Sequence, residues 1–262
     1  MQSHRSALVT VFISVFIYLL GFGIVIPLIP ILSRQFGATA IETGLLMSVY
    51  SLMQFLFAPF WGRVSDRRGR RPVLMASMFF EGLCYVGFAF APSLWWLFVA
   101  RALSGFFGAS ISTASAVISD ITPAHERSKG MALIGVAFGL GFVFGPALGG
   151  TLASVAQTWN ADPAFPHLVI GLFVAAICWL NFLFMWKALP ETRDLREPDK
   201  EAVSTTHKKK WLSLIRNLQK PQIGTLLLIS FILSFAMSSM EATLILYMND
   251  LFHWQMKEVS YG

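Results

Sequence analysis

Gly62-Arg63-Val64-Ser65-Asp66-Arg67-Arg68-Gly69-Arg70-Arg71-Pro72 separates two long apolar runs with five arginines and one aspartate. The run before it covers 40–62 and the run after it 72–91. Each is close to the roughly 20 mostly apolar residues that cross about 30 Å of hydrocarbon. Working outward, five more runs of this kind occur, at 7–32, 94–119, 129–155, 165–187 and 221–248. Only 13% of the 262 residues are charged and 55% are hydrophobic, against about 25% charged in an ordinary soluble domain. The shortfall sits in the seven runs, so lipid is the solvent for most of the chain. Backbone polar groups there need partners within the segment, which predicts helices and an all-α integral membrane fold.

The first run is too long for the apolar core of a signal peptide and holds no small-residue cleavage site, so it reads as the first span. Cys84 and Cys178 both fall inside runs and read as buried small apolar residues, not as a disulfide. A net charge of +6 could suit nucleic acid, but its placement points elsewhere. With the N-terminus in the cytoplasm, 17 of the 20 Lys and Arg fall on the inner side, Arg34 and Lys257 fall outside, and Arg101 lies within a span. That is the positive-inside distribution of a membrane protein, and no nucleic-acid partner is expected. Three segments are expected: a six-helix bundle over 1–188, a cytoplasmic linker over 189–220, and the first helix of a second bundle over 221–262. The linker's charged portion, Glu191–Lys210, should be mobile. Trp211, Leu214, Ile215 and Leu218, at helical spacing among basic residues, fit either an interfacial amphipathic helix or a basic stop before the next span.

Within the arginine-rich stretch, Gly62 is expected to end a helix where another helix comes close. Asp66 should meet a helix N-terminus or an arginine. Gly69 should allow a tight turn, and Pro72 suits the first turn of the next helix. Any basic loop would mark the cytoplasmic side, but the fixed Gly–Asp–Arg–Gly–Arg–Arg order exceeds what topology requires. In the fifth run Gly141, Gly145 and Gly149, with Gly150 beside them, form a flat strip for backbone-to-backbone packing, and Pro146 should bend the helix.

Glu81, Arg101 and Glu241 are the ionisable residues inside runs, each expensive in hydrocarbon and therefore a candidate for function. At about 1.5 Å per helical residue the three share a depth in the outer half, so pairing is possible by depth. Glu241 reads as the favoured proton- or cation-binding carboxylate, and Glu81 as a partner for Arg101 or a rim residue. No metal-ligand spacing, phosphate-cradling loop or nucleophile arrangement stands out. The expectation is a non-enzymatic protein without a metal or cofactor.

The 62–72 stretch resembles the signature G-x-x-x-D-R-x-G-R-[RK] of the major facilitator superfamily, with Gly62, Asp66, Arg67, Gly69, Arg70 and Arg71 at its positions. The resemblance implies a conformational latch that grips a helix of the opposite half, with Asp120 as its acidic partner. Gly141, Gly145, Pro146, Gly149 and Gly150 resemble the family's antiporter signature, and Arg101 to Gly105 its fourth-span R-x-x-x-G, in which the arginine tunes a proton-binding carboxylate. A fixed cation favours a neighbour's charged form and burial disfavours it, so moving such a group between wet and dry surroundings couples proton affinity to conformation. Gly21, Gly23, Pro27 and Pro30 resemble the first span of drug exporters. Where the tetracycline group places an acidic residue a few positions before these, this chain has Tyr18.

The resemblance implies a six-helix bundle of 3+3 inverted repeats. It implies proton-coupled efflux of a drug or small organic molecule by alternating access, with H+ as coupling ion, in a bacterial inner membrane. Tyr18, Tyr50, Gln54, Phe138 and Phe142 lie on cavity-lining spans by the same resemblance. A full member has about twelve spans, so the chain is expected to be the N-terminal half plus a seventh helix. Its opposing wall would come from a missing C-terminal half or a partner chain. A nutrient symporter or uniporter, and a non-transporting scaffold, remain the alternatives.

Overall fold

A computed structural model describes residues 2–108, 110–160, 162, 165–192 and 221–252. The chain divides into two units, of which Leu195–Tyr247 is the smaller. The larger is a helical bundle built from α1 (Gln2–Val25), α2 (Leu28–Gln35), α3 (Ala40–Arg68), α4 (Arg70–Ala89), α5 (Leu94–Phe107), α6 (Ser110–Ile121), a 3-10 turn (Ala124–Glu126), α7 (Arg127–Trp159) and α8 (Phe165–Ala188). Helix α9 (Pro221–Phe252) falls mostly in the smaller unit. Its 32 residues cover the expected seventh run, and Gly224–Met240 is the apolar stretch among its described side chains. The amphipathic segment at 211–220 lies outside the described residues, as does the linker from residue 193.

Six stretches of the bundle are long and apolar enough to cross a membrane: Leu8–Gln35, Ala40–Arg68, Arg70–Ala89, Leu94–Ile121, Arg127–Trp159 and Phe165–Ala188. Large apolar side chains such as Phe55, Trp95 and Val143 stand on the outside, as suits a bundle whose surroundings are lipid or further protein and not water. This is a multi-pass membrane protein.

Helix boundaries follow local chemistry. Helix α3 opens on a capping box, in which Thr39 Oγ1 accepts from Glu42 N at 3.3 Å and Glu42 Oε2 accepts from Thr39 N at 2.8 Å, satisfying donors the first turn leaves free. Ser93 caps α5. The first span is broken, since α1 ends before Pro27, which lacks the N–H to continue the ladder. The fourth span is also broken, between α5 and α6 at Gly108, a break the apolar run did not reveal.

Helix α7 lies on α1, α4 on α8, and α3 on α5. The glycine strip explains the first pairing. A Cβ at Gly145 would sit 2.7 Å from the backbone of Gly23, one at Gly141 would meet Leu19, and one at Gly149 would meet Ile24. The two backbones are therefore in direct contact, as the spacing predicted. Gly150 is buried too, and α7 runs unbroken through Pro146. Two apolar clusters fill the bundle. One gathers Ile24, Leu28, Phe88 and Ile170. The other gathers Val15, Leu74, Met78 and Met185 towards the Gly69 end. Cys84 and Cys178 are free and buried.

Candidate functional site: a buried charge cluster and an arginine turn

Between the apolar clusters lies a group of polar side chains delivered by four helices. Helix α1 brings Tyr18 and Phe22, α3 brings Tyr50 and Gln54, α4 brings Glu81 and Tyr85, and α5 brings Arg101 and Ser104. Tyr85 follows Glu81 by four residues, Ser104 follows Arg101 by three, and Phe22 follows Tyr18 by four, so each pair shares a helix face. Glu81 is 1% exposed and Arg101 is 4% exposed. They interact electrostatically, yet no guanidinium nitrogen comes within 4.0 Å of the carboxylate. Tyr85 and Ser104 flank Glu81 at loose range, but neither carboxylate oxygen makes a hydrogen bond of good geometry.

Arg101 rests on aromatic faces. Its guanidinium carbon is 4.5 Å from the centre of the Tyr50 ring and 5.7 Å from that of Phe22, a cation–π arrangement that partly replaces lost hydration. Its Nε and Nη1 have no hydrogen-bond partner. The Tyr18 and Tyr50 hydroxyls bond directly to one another. Gln54 Nε2 lies 3.5 Å from the Tyr50 hydroxyl and donates to the Gly108 carbonyl at 2.8 Å. That carbonyl belongs to the break in the fourth span, so a hydrogen-bond chain runs from the Tyr18–Tyr50 pair, on whose Tyr50 ring Arg101 rests, to the interruption. Burying a carboxyl and a guanidinium without closing their hydrogen bonds is expensive. The arrangement lets a proton, a substrate group or a moved helix complete the bonding.

The depth reading therefore brings Glu81 and Arg101 together, and Glu81 is the described carboxylate beside the arginine. Glu241 lies on α9 by its backbone, and its side-chain surroundings lie outside the described residues. Tyr18 and Tyr50, expected to line a cavity, are instead 3% and 4% exposed, because their hydroxyls face each other inside the bundle. Gln54 and Phe142 are half-buried, and Phe138 is exposed on α7, stacked on Phe142 at 4.6 Å between ring centres.

The arginine-rich stretch is mostly helix. Helix α3 continues six residues beyond Gly62, to Arg68, and nothing lies within 4 Å of a Cβ placed at Gly62. The expectation that Gly62 ends a helix is corrected, and its face is open within this chain. Arg67 and Arg68 suit the last helical turn, where cations complement the dipole. The turn is Gly69 alone, at φ +100°, a value L residues rarely adopt. Arg70, 7% exposed, folds back over it. Its Nη1 lies 2.6 Å from Asp66 and donates to Ser65 Oγ at 3.0 Å, while its Nε donates to Asp120 at 3.0 Å. Asp66 and Asp120 thus hold one guanidinium from two helices.

Sequence reading placed Glu191 at the head of a mobile linker, and the structure instead ties it to the bundle. Its carboxylate accepts from the backbone N–H of Arg70 at 2.9 Å and of Arg71 at 3.2 Å, capping α4 from the far end of α8. A Cβ at Gly69 would collide with this carboxylate. Arg71 donates through Nη2 to the Trp186 carbonyl. The Leu189-Pro190-Glu191-Thr192 string was the available signal, since Pro190 directs the chain out of α8 just before the acid.

Against known families, the Major Facilitator Superfamily model matches residues 11–262. Tetracycline resistance protein, class B, from Escherichia coli is 32% identical over 247 residues, covering 93% of this chain and 58% of that protein. The crystal structure of the human organic anion transporter MFSD10 (TETRAN) superposes with a TM-score of 0.72 at 24% identity, covering 98% of this chain and 68% of that one. A bacterial homolog of the human lysosomal transporter Spinster, solved inward-facing and unoccupied, superposes at 0.79 with 16% identity, covering 98% and 58%. Both structural likenesses show the fold. The chain spans 58% of the length of the tetracycline resistance relative.

Proposed function

The chain belongs to the Major Facilitator Superfamily, and from that premise we propose that it forms the proton-coupling half of an exporter of drug-sized organic molecules. The observation that carries the proposal is the buried Glu81 beside Arg101, a carboxyl and a guanidinium deep in an apolar bundle with incomplete hydrogen bonding. In this reading the protein works by alternating access, one six-helix half rocking against another around a site at mid-membrane. The facing wall is supplied by a C-terminal half or by a partner chain.

A proton from outside neutralises Glu81 and weakens its attraction for Arg101, which then rests on the Tyr50 and Phe22 rings. Substrate leaves in that state. Return to the inward state brings Arg101 back towards Glu81, and the proton departs to the cytoplasm. The Tyr18–Tyr50–Gln54–Gly108 chain couples the cluster to the broken fourth span. Asp66, Arg67, Gly69, Arg70, Arg71 and Asp120 act as the latch, with Gly62 offering its open face to the opposite half. The N-terminus is cytoplasmic and the host membrane is a bacterial inner membrane. The substrate class follows the tetracycline resistance relative, a polar organic molecule of that size. Glu241 is a second proton-carrying candidate.

The test uses inverted vesicles from cells expressing the whole reading frame, with a fluorescent cationic dye as substrate and an imposed pH gradient. Gradient-driven dye transport is expected, lost in Glu81→Gln with dye binding retained. Undiminished transport in Glu81→Gln together with its loss in Glu241→Gln would move the coupling role to Glu241. Transport indifferent to the gradient would end the proton-coupled reading.

A further inference from the structure

Beside the latch, with which it shares Arg71, the seam between α4 and α8 carries an open groove of about 670 Å³ at the Gly69 end of the bundle. Met75, Phe79, Phe80 and Phe182 form its floor, and Arg71 and Trp186 stand at its mouth. Phe79, Phe80 and Trp186 are exposed, so the groove opens away from the bundle, towards lipid. We propose that it holds an anionic phospholipid, the headgroup phosphate on Arg71 and the upper acyl chains along the phenylalanine floor.

Charge is what selects this occupant. Glu191 also borders the groove, but its carboxylate is turned to the start of α4 and accepts from the backbone N–H groups of Arg70, Arg71 and Thr192. The helix end absorbs that negative charge. Arg71 spends one nitrogen on the Trp186 carbonyl, while its Nε has no hydrogen-bond partner. Among the described residues no carboxylate lies within 4.0 Å of its guanidinium. Arg67 and Arg68, exposed on the preceding turn, add to the same field. A cation above an apolar floor, beside a tryptophan suited to the headgroup level, fits an anionic lipid better than a neutral one. A zwitterionic lipid would fill the floor equally and offer a phosphate, but it would also bring its own ammonium into the field of Arg71, Arg67 and Arg68. The inference needs only the membrane-embedded bundle and holds whether or not the chain transports anything.

The test places the chain in nanodiscs containing lipids brominated near the headgroup end of their acyl chains. It reads quenching of the Trp186 fluorescence, isolated by subtracting a Trp186→Phe variant. Brominated phosphatidylglycerol should be preferred over brominated phosphatidylcholine by about fivefold, the factor one arginine near an anionic headgroup is worth. Arg71→Gln should lose the preference while phosphatidylcholine still quenches, which shows the groove intact. Arg71→Lys and Arg68→Gln should keep most of it. Equal quenching by the two lipids in the unaltered chain overturns the proposal, as does a preference that survives Arg71→Gln. Failure of both lipids to quench overturns it too, since protein would then cover the groove.

Discussion

Two buried arginines, treated in opposite ways by the same fold, divide this protein into a clamp and a candidate switch. Arg70 is held by Asp66 at 2.6 Å, by Asp120 at 3.0 Å and by Ser65, at a bundle end where water reaches both carboxylates. Arg101 sits deep among four helices with aromatic faces for company and a carboxylate that it does not touch. A closed set of charge-assisted hydrogen bonds resists change, since every rearrangement forfeits bonds already made. An open set costs stability in place and loses little when it rearranges. The difference assigns holding to the turn and moving to the core.

The largest effect expected from breaking this contrast lies in the core. Arg101→Met should cost about 3 kcal/mol in detergent unfolding, because the buried Glu81 loses its cation and must hold a proton or carry an uncompensated charge. Adding Glu81→Gln should restore most of that, a coupling of about 1–3 kcal/mol in the double-mutant cycle. Additive losses would mean the two groups do not interact. Next, Arg70→Ala should cost about 1–3 kcal/mol, below the figure for a fully buried pair because Asp66 and Asp120 remain partly hydrated. Here no second substitution at Asp66 should rescue it, since Asp120 and Ser65 stay unpaired. Gly69→Ala should cost about 1–2 kcal/mol from the left-handed backbone. Adding Glu191→Ala should remove the part due to collision with the Glu191 carboxylate, though not the backbone strain. The smallest effect, about 1 kcal/mol, is expected for Gln54→Leu, which frees the Gly108 carbonyl. Faster hydrogen exchange confined to the α5–α6 break would be its signature, and unchanged exchange there would disconnect Gln54 from the break.

The spans, the glycine contact and the shared depth of Glu81 and Arg101 were legible because each rests on a period or a rise along one helix. Hydrophobic runs report the solvent, and spacing four reports a face. What stayed hidden depends on which neighbour that face meets. Tyr18 and Tyr50 face each other and not a cavity, a fact that needs the α1–α3 packing. Gly62 looked like a helix end because it begins a charged stretch, yet charged residues continue a helix readily and only Gly69 has the backbone to stop it. The break at Gly108 was masked by apolar residues on both sides. Glu191 lies 120 residues from the Arg71 N–H it caps, and the string around it marks where the chain leaves α8, not which helix the acid meets.

Infrared difference spectroscopy of the membrane-embedded protein across a pH step tests the central claim most directly. It reads the carbonyl stretch of protonated carboxyl groups while the chain stays in lipid. A band that grows on acidification, vanishes in Glu81→Gln and shifts in Arg101→Lys is the predicted result. A spectrum identical in the unaltered protein and in Glu81→Gln would contradict it, because the buried carboxylate would then take no part in proton exchange.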